Sequence, residues 1–371
     1  MNKTIRATLR LENGMEFNGF SFGYSGCVSG ELVFHTAMTG YPEQLTDPSF
    51  SGQILMLTYP LAGNYGVPSE DLLPCGISAK LESDRIHAAG LVVFDYCEDY
   101  SNWQAVKSLG QWLQEQKVPA IYGVDTRELT RILRDNGSMK AVIIPEGASE
   151  ADCNGEVCPD CKDEACPDCN GEACPAKKVS CKEPITYPGE GKRVVLVDCG
   201  VRHSHIRSLL DRGLEIVRVP YDYDFSQLDY DGVFVSDGPG DPMLYDKTVN
   251  NIAAALKTDK PVFGIGLGYL LLGRAAGCRT VALARPHRSA NQPVRKNGSN
   301  RAYITYQNAA YTIEPESVPS DWNVVFTNLN DSSVDGIRHN YKPFMGTQFN
   351  PEACRGLNEN FTIVDEFVSK L

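Results

Sequence analysis

Apolar and polar positions alternate from the start of the chain. Ile5, Ala7, Leu9 and Leu11 recur with a period of two, which predicts a half-buried strand. Glu12-Asn13-Gly14 supplies a turn after it. Residues 31–34 and 53–57 read as further strands. Between them lie Thr39-Gly40-Tyr41-Pro42 and Thr46-Asp47-Pro48-Ser49-Phe50, dense in turn formers and readable as either a long connection or a ligand loop. Residues 101–116 predict a helix with Trp103, Val106, Leu109 and Leu113 on one face. A short strand follows at 118–124. Asp125 then caps a second helix, with Glu128 three residues on as a capping box requires and Gly137 as its stop. A final strand at 141–144 closes a mixed α/β part that ends near residue 145.

From residue 192 the pattern changes. Residues 193–198, 214–219 and 232–235 read as strands, separated by a helical stretch at 202–213 and by turn formers. Alternating β and α units of this kind imply a parallel sheet buried on both faces. Such sheets bind ligands at the carboxyl ends of their strands. Two glycine-rich loops, 237–242 and 264–268, fall at such ends. Residues 344–349 form another apolar strand that delivers Asn350-Pro351-Glu352 at its end, and 360–371 reads as a closing amphipathic helix.

The stretch PVFGIGLGYLLLGRAA, residues 261–276, carries the clearest chemical signature. A strand at 262–265 runs straight into Gly264-x-Gly266-x-Gly268 and then a leucine-rich helix. Glycines on both sides of a central residue at a strand-to-helix turn make a nucleophile elbow. Here the central residue is Gly266, which has no side chain.

Composition modifies this picture in one place. The 371 residues carry a net charge of −12, and residues 146–183 hold ten acids against four lysines, a net of −6. No basic stripe is present, so a nucleic-acid partner is not expected. No run approaches the roughly 20 apolar residues of a membrane helix, and the first residues lack the apolar core of a secretory signal. A cytoplasmic location is the expectation. Seven of the 13 cysteines lie between Cys153 and Cys181, six of them in three copies of an eight-residue unit. The pairs Cys158/Cys161 and Cys166/Cys169 have zinc-ligand chemistry. Only four residues separate them, and the segment has almost nothing to bury, which favours a solvated low-complexity linker without metal. The other six cysteines, at 27, 75, 97, 199, 278 and 354, read as ordinary buried thiols.

These motifs together resemble the small (glutaminase) subunit of carbamoyl-phosphate synthase, a class I glutamine amidotransferase fused to a characteristic N-terminal domain. GELVFHTAMTGYPEQLTDPSFSGQ, TYPLAGNYGV, SNW and GVDTRELTRILRDNGSMK carry the resemblance in the first half. VSCKEPITY, VSDGPGDP, PVFGIGLG, ITYQN, DGIRHN and FNPEA carry it in the second. The resemblance implies an α/β fold: a mixed α/β, three-layer swivelling-type N-terminal domain (1–145), the Cys-rich acidic linker (146–191) and an α/β class I amidotransferase domain (192–371). It also implies a large partner subunit that holds ATP and Mg, with no cofactor in this chain.

Carried over residue by residue, the resemblance exposes departures. The nucleophilic cysteine position is Gly266, and the catalytic histidine position is Asn350. The acid is retained as Glu352. Tyr269 stands where the family has histidine, and Leu270 where it has the glutamine that holds the substrate. The substrate-pocket positions Ser49, Gly238, Gly240, Leu267 and Asn308 match, while the next two are Ala310 and Tyr311 instead of glycine and phenylalanine. Glycine cannot form a thioester, and asparagine has no useful pKa near neutrality. The expectation is a subunit of carbamoyl-phosphate synthase, a ligase of arginine and pyrimidine synthesis. Its own glutamine hydrolysis is lost and ammonia is the donor, with a pocket still suited to glutamine or a similar small molecule. The alternatives are a stand-alone pseudo-amidotransferase that binds or regulates, and a glutaminase with a relocated nucleophile. The relocated version needs Cys199, Cys278 or Cys354, with His287 or His339, both expected as surface or loop residues.

Overall fold

A computed structural model describes residues 5–148, 174–351 and 363–371. The chain divides into two compact units, Met1–Ala165 and Cys166–Leu371.

In the first unit seven strands close into a barrel. They are β1 (Ile5–Leu11), β2 (Glu16–Ser21), β3 (Val28–His35), β4 (Gln53–Leu57), β5 (Gly90–Val92), β6 (Ala120–Tyr122) and β7 (Met139–Pro145). Their order around the barrel is β1-β7-β3-β4-β5-β6-β2. The layered α/β character expected for this part therefore takes the form of a closed sheet. Residues of β4 alternate between two cores: Ile54 and Met56 join Leu9, Leu32 and Ile143, whereas Leu55 and Leu57 join Phe50, Leu91 and Trp112. Burial on both faces explains why 54–57 is an unbroken apolar run.

Two of the helices described in this unit, α1 (Leu109–Glu115) and α2 (Thr126–Asn136), pack on this frame. The helix capped by Asp125 forms as expected: its carboxylate accepts the Glu128 N–H at 2.9 Å, and Gly137, at φ 83°, ends it. The helix expected over 101–116 is confined to Leu109–Glu115 and starts at Ser108, whose hydroxyl accepts the Gln111 N–H at 3.2 Å. Before it, Asn102 Oδ1 accepts the Gln104 N–H in a local turn that competes with helix, and Ala105–Lys107 pairs as a strand with Val67–Pro68. Trp103 is 88% exposed, so its apolar character never reaches a core.

The second unit is built on one ten-stranded sheet. Its strands are β8 (Ile185–Tyr187), β9 (Arg193–Asp198), β10 (Glu215–Pro220), β11 (Gly232–Val235), β12 (Val262–Ile265), β13 (Thr280–Lys296), β14 (Ala302–Ile313), β15 (Trp322–Asn328), β16 (Val334–His339) and β17 (Phe344–Thr347). The order is β8-β10-β9-β11-β12-β17-β16-β14-β13-β15. The five strands from β10 to β17 in that order are parallel, as the alternating pattern predicts. The remaining pairs are antiparallel. Helices α3 (His203–Leu210), α4 (Asp246–Ala255), α5 (Leu267–Ala275) and α6 (Ile363–Val368) belong to this unit. Phe367 of α6 stacks on Phe263 of β12 at 5.8 Å between centroids, one of several ring contacts that seat this short helix. Among the described residues no helix is long and apolar enough to cross a membrane.

The scattered cysteines divide by environment. Cys199 and Cys278 are buried, Cys75 and Cys97 are half-buried, and Cys27 is disulfide-bonded, which departs from the expectation of ordinary buried thiols throughout. The cysteine pairs at 158/161 and 166/169, like Cys354, lie outside the described residues.

Candidate functional site

Three segments meet at the carboxyl ends of adjacent parallel strands. Asp237-Gly238-Pro239-Gly240 follows β11, Gly266 follows β12, and Asn350 stands three residues beyond β17. The register sets this up, because Val235 pairs with Gly264 and Ile265 with Thr347. Gly266 donates its N–H to Thr347 O at 2.9 Å, and Asn350 donates its N–H to Tyr306 O at 3.1 Å. The structure thus brings Gly266, Gly238 and Asn350 into one neighbourhood. Glu352 lies outside the described residues.

The elbow keeps its conformation without its side chain. Gly266 has φ 55° and ψ −117°. A residue with a Cβ holds that combination only under strain. The glycines around it serve close packing: a Cβ on Gly268 would lie 2.7 Å from Ser236 O and closer still to Val235 O, and one on Gly264 would lie 2.5 Å from Gly268 O. Strand, turn and helix therefore approach one another to backbone contact.

The space above Gly266 is occupied. A Cβ built there would fall on the carboxylate of Asp237, 2.6 Å from Oδ2 and nearer to Cγ and Oδ1. Asp237 Oδ1 accepts the Leu267 N–H at 2.9 Å and the Gly238 N–H at 2.8 Å. Leu267 is the first residue of α5, so the carboxylate also answers the positive end of that helix. Asp237 was not singled out from the sequence. Its place at the end of a strand beside two glycines was legible, but its partner lies 30 positions away.

The other expected pocket residues separate into groups. Gly238 faces the carbonyl of Cys199, and Gly240, at φ 90°, lies against Pro175. Asn308 and Ala310 are half-buried on β14. The hydroxyl of Tyr311 donates to Asp241 Oδ2 at 3.0 Å, tying β14 to the glycine-rich loop. Leu267 and Leu270 are nearly fully buried and belong to the apolar core. Leu270 therefore packs as a core residue, and a polar side chain there would have to be buried. Tyr269, on the same helix, is completely buried and donates its hydroxyl to Val334 O at 3.0 Å. Ser49 belongs to the first unit, buried in the turn Pro48–Phe50, with its N–H donating to Asp47 Oδ1 at 3.0 Å.

Candidate replacements for the lost groups are sequestered. Cys199 is completely buried, and burial, with Asp198 adding to it, pushes its thiol well above the ordinary range. Burial, with Asp321 adding, pushes Cys278 up to about 11. His287 sits in β13 and is buried, not at the surface. Its Nδ1 faces Gln307 Oε1 at 3.0 Å and its Nε2 faces Asp331 Oδ2 at 2.7 Å. Both ring nitrogens are thus committed. His339 ends β16 and is likewise engaged, with Nδ1 accepting the Lys342 N–H and Nε2 facing Asp321. Antiparallel pairing of Arg338 with Met345 puts it toward the edge of the sheet opposite Gly266. Among the described residues no group of three or more His, Cys, Asp or Glu side chains could hold a metal ion.

The His287 network has a measurable consequence. Gln307 Nε2 donates to Asp335 Oδ2 at 2.7 Å and Asn328 Nδ2 to the same oxygen at 3.1 Å. Burial nevertheless raises the Asp335 carboxyl to about 6, because these hydrogen bonds and His287 only partly offset desolvation. Between about pH 4 and pH 6 the folded chain therefore binds more protons here than the unfolded chain, and this group's contribution to stability falls as pH rises. Asp335→Asn removes that slope. Relative to the parent, the variant is expected to gain stability between pH 4.5 and pH 7, by at most about 3 kcal/mol. Urea unfolding of both chains at the two pH values checks this; a difference that is flat or reversed in sign refutes it.

Comparison with known proteins agrees with the geometry. Residues 9–143 match the family described as carbamoyl-phosphate synthase small chain, CPSase domain, and residues 195–370 match glutamine amidotransferase class-I. Over 365 residues the chain is 42% identical to the multifunctional protein CAD of Squalus acanthias, covering 98% of this chain and 16% of that protein. Over 373 residues it is 42% identical to the mitochondrial carbamoyl-phosphate synthase [ammonia] of Homo sapiens, covering 99% and 24% respectively. It is 41% identical over 384 residues to the multifunctional protein URA2 of Saccharomyces cerevisiae, covering 97% and 17%. The chain spans less than a quarter of the length of these relatives.

Proposed function

Because this chain belongs to the family of carbamoyl-phosphate synthase small chains, we propose that it serves a carbamoyl-phosphate synthase as a small chain whose own glutamine hydrolysis is lost. The assembled ligase makes carbamoyl phosphate from bicarbonate, ATP and free ammonia, feeding arginine and pyrimidine synthesis. ATP and Mg bind on a large synthase subunit, the partner of this chain in the cytoplasm. The relative from Homo sapiens is itself named for ammonia.

The observation that carries this reading is the occupied space at Gly266. A glutaminase of this class attacks the side-chain amide carbon with a thiolate, expels ammonia and hydrolyses the resulting thioester to glutamate. Gly266 offers no sulfur to form that bond. Asn350 offers no group that takes up a proton near neutrality and returns it to the leaving nitrogen. Cys199 and Cys278, both buried with thiols raised by burial, supply no thiolate in their place. The pocket positions Ser49, Gly238, Gly240, Leu267, Leu270, Asn308, Ala310 and Tyr311 then serve structure, and glutamine or a similar molecule is at most a bound ligand.

The full chain, purified with the large subunit, is expected to support carbamoyl phosphate formation from ammonium chloride, bicarbonate and MgATP. Formation should fall to background when L-glutamine is the only nitrogen source. Glutamate release by the unmodified chain that is abolished by cysteine alkylation would overturn the reading. A folded chain that associates with no synthase subunit would favour a stand-alone binding protein.

A further inference from the structure

The elbow raises a question that the missing cysteine alone does not answer, namely what became of the donors that once faced the developing oxyanion. We infer that Asp237 is an internal stand-in for that oxyanion, a positioning residue that keeps the donor pair closed to any carboxamide. The inference rests on the lost-glutaminase reading and deepens it.

Three observations converge on this side chain. First, two backbone N–H groups from different segments, Leu267 at the start of α5 and Gly238 in the loop after β11, point at a single atom, Asp237 Oδ1, at 2.9 and 2.8 Å. Two amides converging at about 3 Å on one oxygen, one of them the residue after the elbow, form the arrangement that stabilises a tetrahedral oxyanion. Second, the carboxylate overlaps the position of a Cβ on Gly266, so it fills the nucleophile's space as well as the oxyanion's. Third, the residue is buried and the backbone that carries the side chain is pinned. Asp237 is 8% exposed, its own carbonyl accepts the Ser236 hydroxyl at 2.8 Å, and that hydroxyl in turn accepts the Cys199 N–H at 3.0 Å.

An ordinary helix cap does not account for this geometry. A capping side chain comes from the residue just before the helix and bonds the second or third N–H within it. Here the residue before α5 is Gly266, which makes no side-chain cap, and the acceptor comes from a neighbouring strand to the first N–H. The arrangement follows from the loss at 266. With no side chain at the elbow, a carboxylate reaches the amide of Leu267, and once there it excludes both a nucleophile and a substrate carbonyl.

A cap and a stand-in differ in their effect on a thiol placed at the elbow. In the full chain carrying Gly266→Cys, the introduced thiol stands beside the Asp237 carboxylate, which opposes thiolate formation even after the side chain shifts to make room. Alkylation of that thiol by iodoacetamide, followed at position 266 by peptide mass spectrometry, reads the thiolate directly. Adding Asp237→Asn, which keeps an oxygen for the two amides but removes the charge, is expected to raise the rate at pH 7.5 at least about tenfold and to move the rate–pH midpoint down. Adding Asp237→Ala instead is expected to do the same and, in addition, to slow alkylation when formamide is present as a small carboxamide probe. Equal rates and superimposable pH profiles with Asp and with Asn at 237 would overturn the proposal, and the near-isosteric Asn variant keeps the test valid should the Ala variant not fold. Failure of the broader reading shows separately, as glutamate release by the unmodified chain.

Discussion

A chain carrying Gly266→Cys and Asn350→His is expected to release glutamate from glutamine at no more than a near-background rate, and adding Asp237→Ala is expected to raise that rate about a hundredfold or more. The pair alone restores a nucleophile and a base, groups whose loss in a comparable hydrolase costs about a millionfold. It does not restore the oxyanion site, because the two donors remain committed to Asp237 Oδ1. Each such donor is worth about a hundredfold to a thousandfold in turnover, so clearing them sets the lower bound of the expected gain. Leu270→Gln is left out on structural grounds. Leu270 lies in the apolar core, and an unpaired amide there costs about 1–3 kcal/mol. Glutamate production at saturating glutamine, with cysteine alkylation as the control, measures the outcome. Equal rates in the double and triple variants would mean that Asp237 yields its place without cost. A well-folded triple variant that stays inactive would mean that the pocket has diverged beyond these three positions.

Asp198→Ala is expected to destabilise the second unit by about 3–5 kcal/mol, the cost typical of breaking a buried ion pair. Asp198 ends β9 and is completely buried. Its Oδ1 accepts the N–H groups of Gly200 and Val201 at 3.0 and 2.8 Å, and its Oδ2 accepts the Cys181 N–H at 2.7 Å. Arg218 of β10 meets the same Oδ2 through Nη2 at 2.7 Å and Nε at 2.8 Å, and its guanidinium is only 14% exposed. Removing the carboxylate leaves three amides and a largely buried cation without their acceptor. The loss far exceeds what a surface pair such as Arg10–Glu16, with both partners about 40% exposed or more, would produce. For a unit of this size each kcal/mol lowers Tm by about 2–4 °C, so a fall of about 10 °C is expected in calorimetry. Asp198→Asn, which keeps an acceptor of the same shape, is expected to fall between variant and parent. A loss below about 1 kcal/mol for the Ala variant would show that the site relaxes around the missing group.

Both expectations concern atoms at the carboxyl edge of one parallel sheet, where structure and chemistry compete for the same space. A working elbow holds a strained residue and leaves its donors free for a transition state. Here Gly266 relieves the strain and Asp237 satisfies the donors. Both features leave this edge a relaxed and well-satisfied piece of protein.

Local order was legible in the residues themselves. Period-two alternation located β1, unbroken apolar runs located β9, β11 and β12, and Asp125 with Gly137 bounded a helix, because each signal is written within one element's own length. The glycines at 264, 266 and 268 announced a sharp turn, and the absence of sulfur at 266 was plain before any fold was known. What depends on residues far apart was decided only in three dimensions. Barrel closure joins β2 to β6, the first half of the helix expected over 101–116 gave way to a local turn and a short strand, and His287 went from expected surface or loop to buried network through Gln307 and Asp331. Above all, an aspartate 29 positions before Gly266 fills the space where a side chain at 266 would stand. Periodicity records which face of an element is buried; it holds no record of which distant group will satisfy a backbone amide once the strands have been brought side by side.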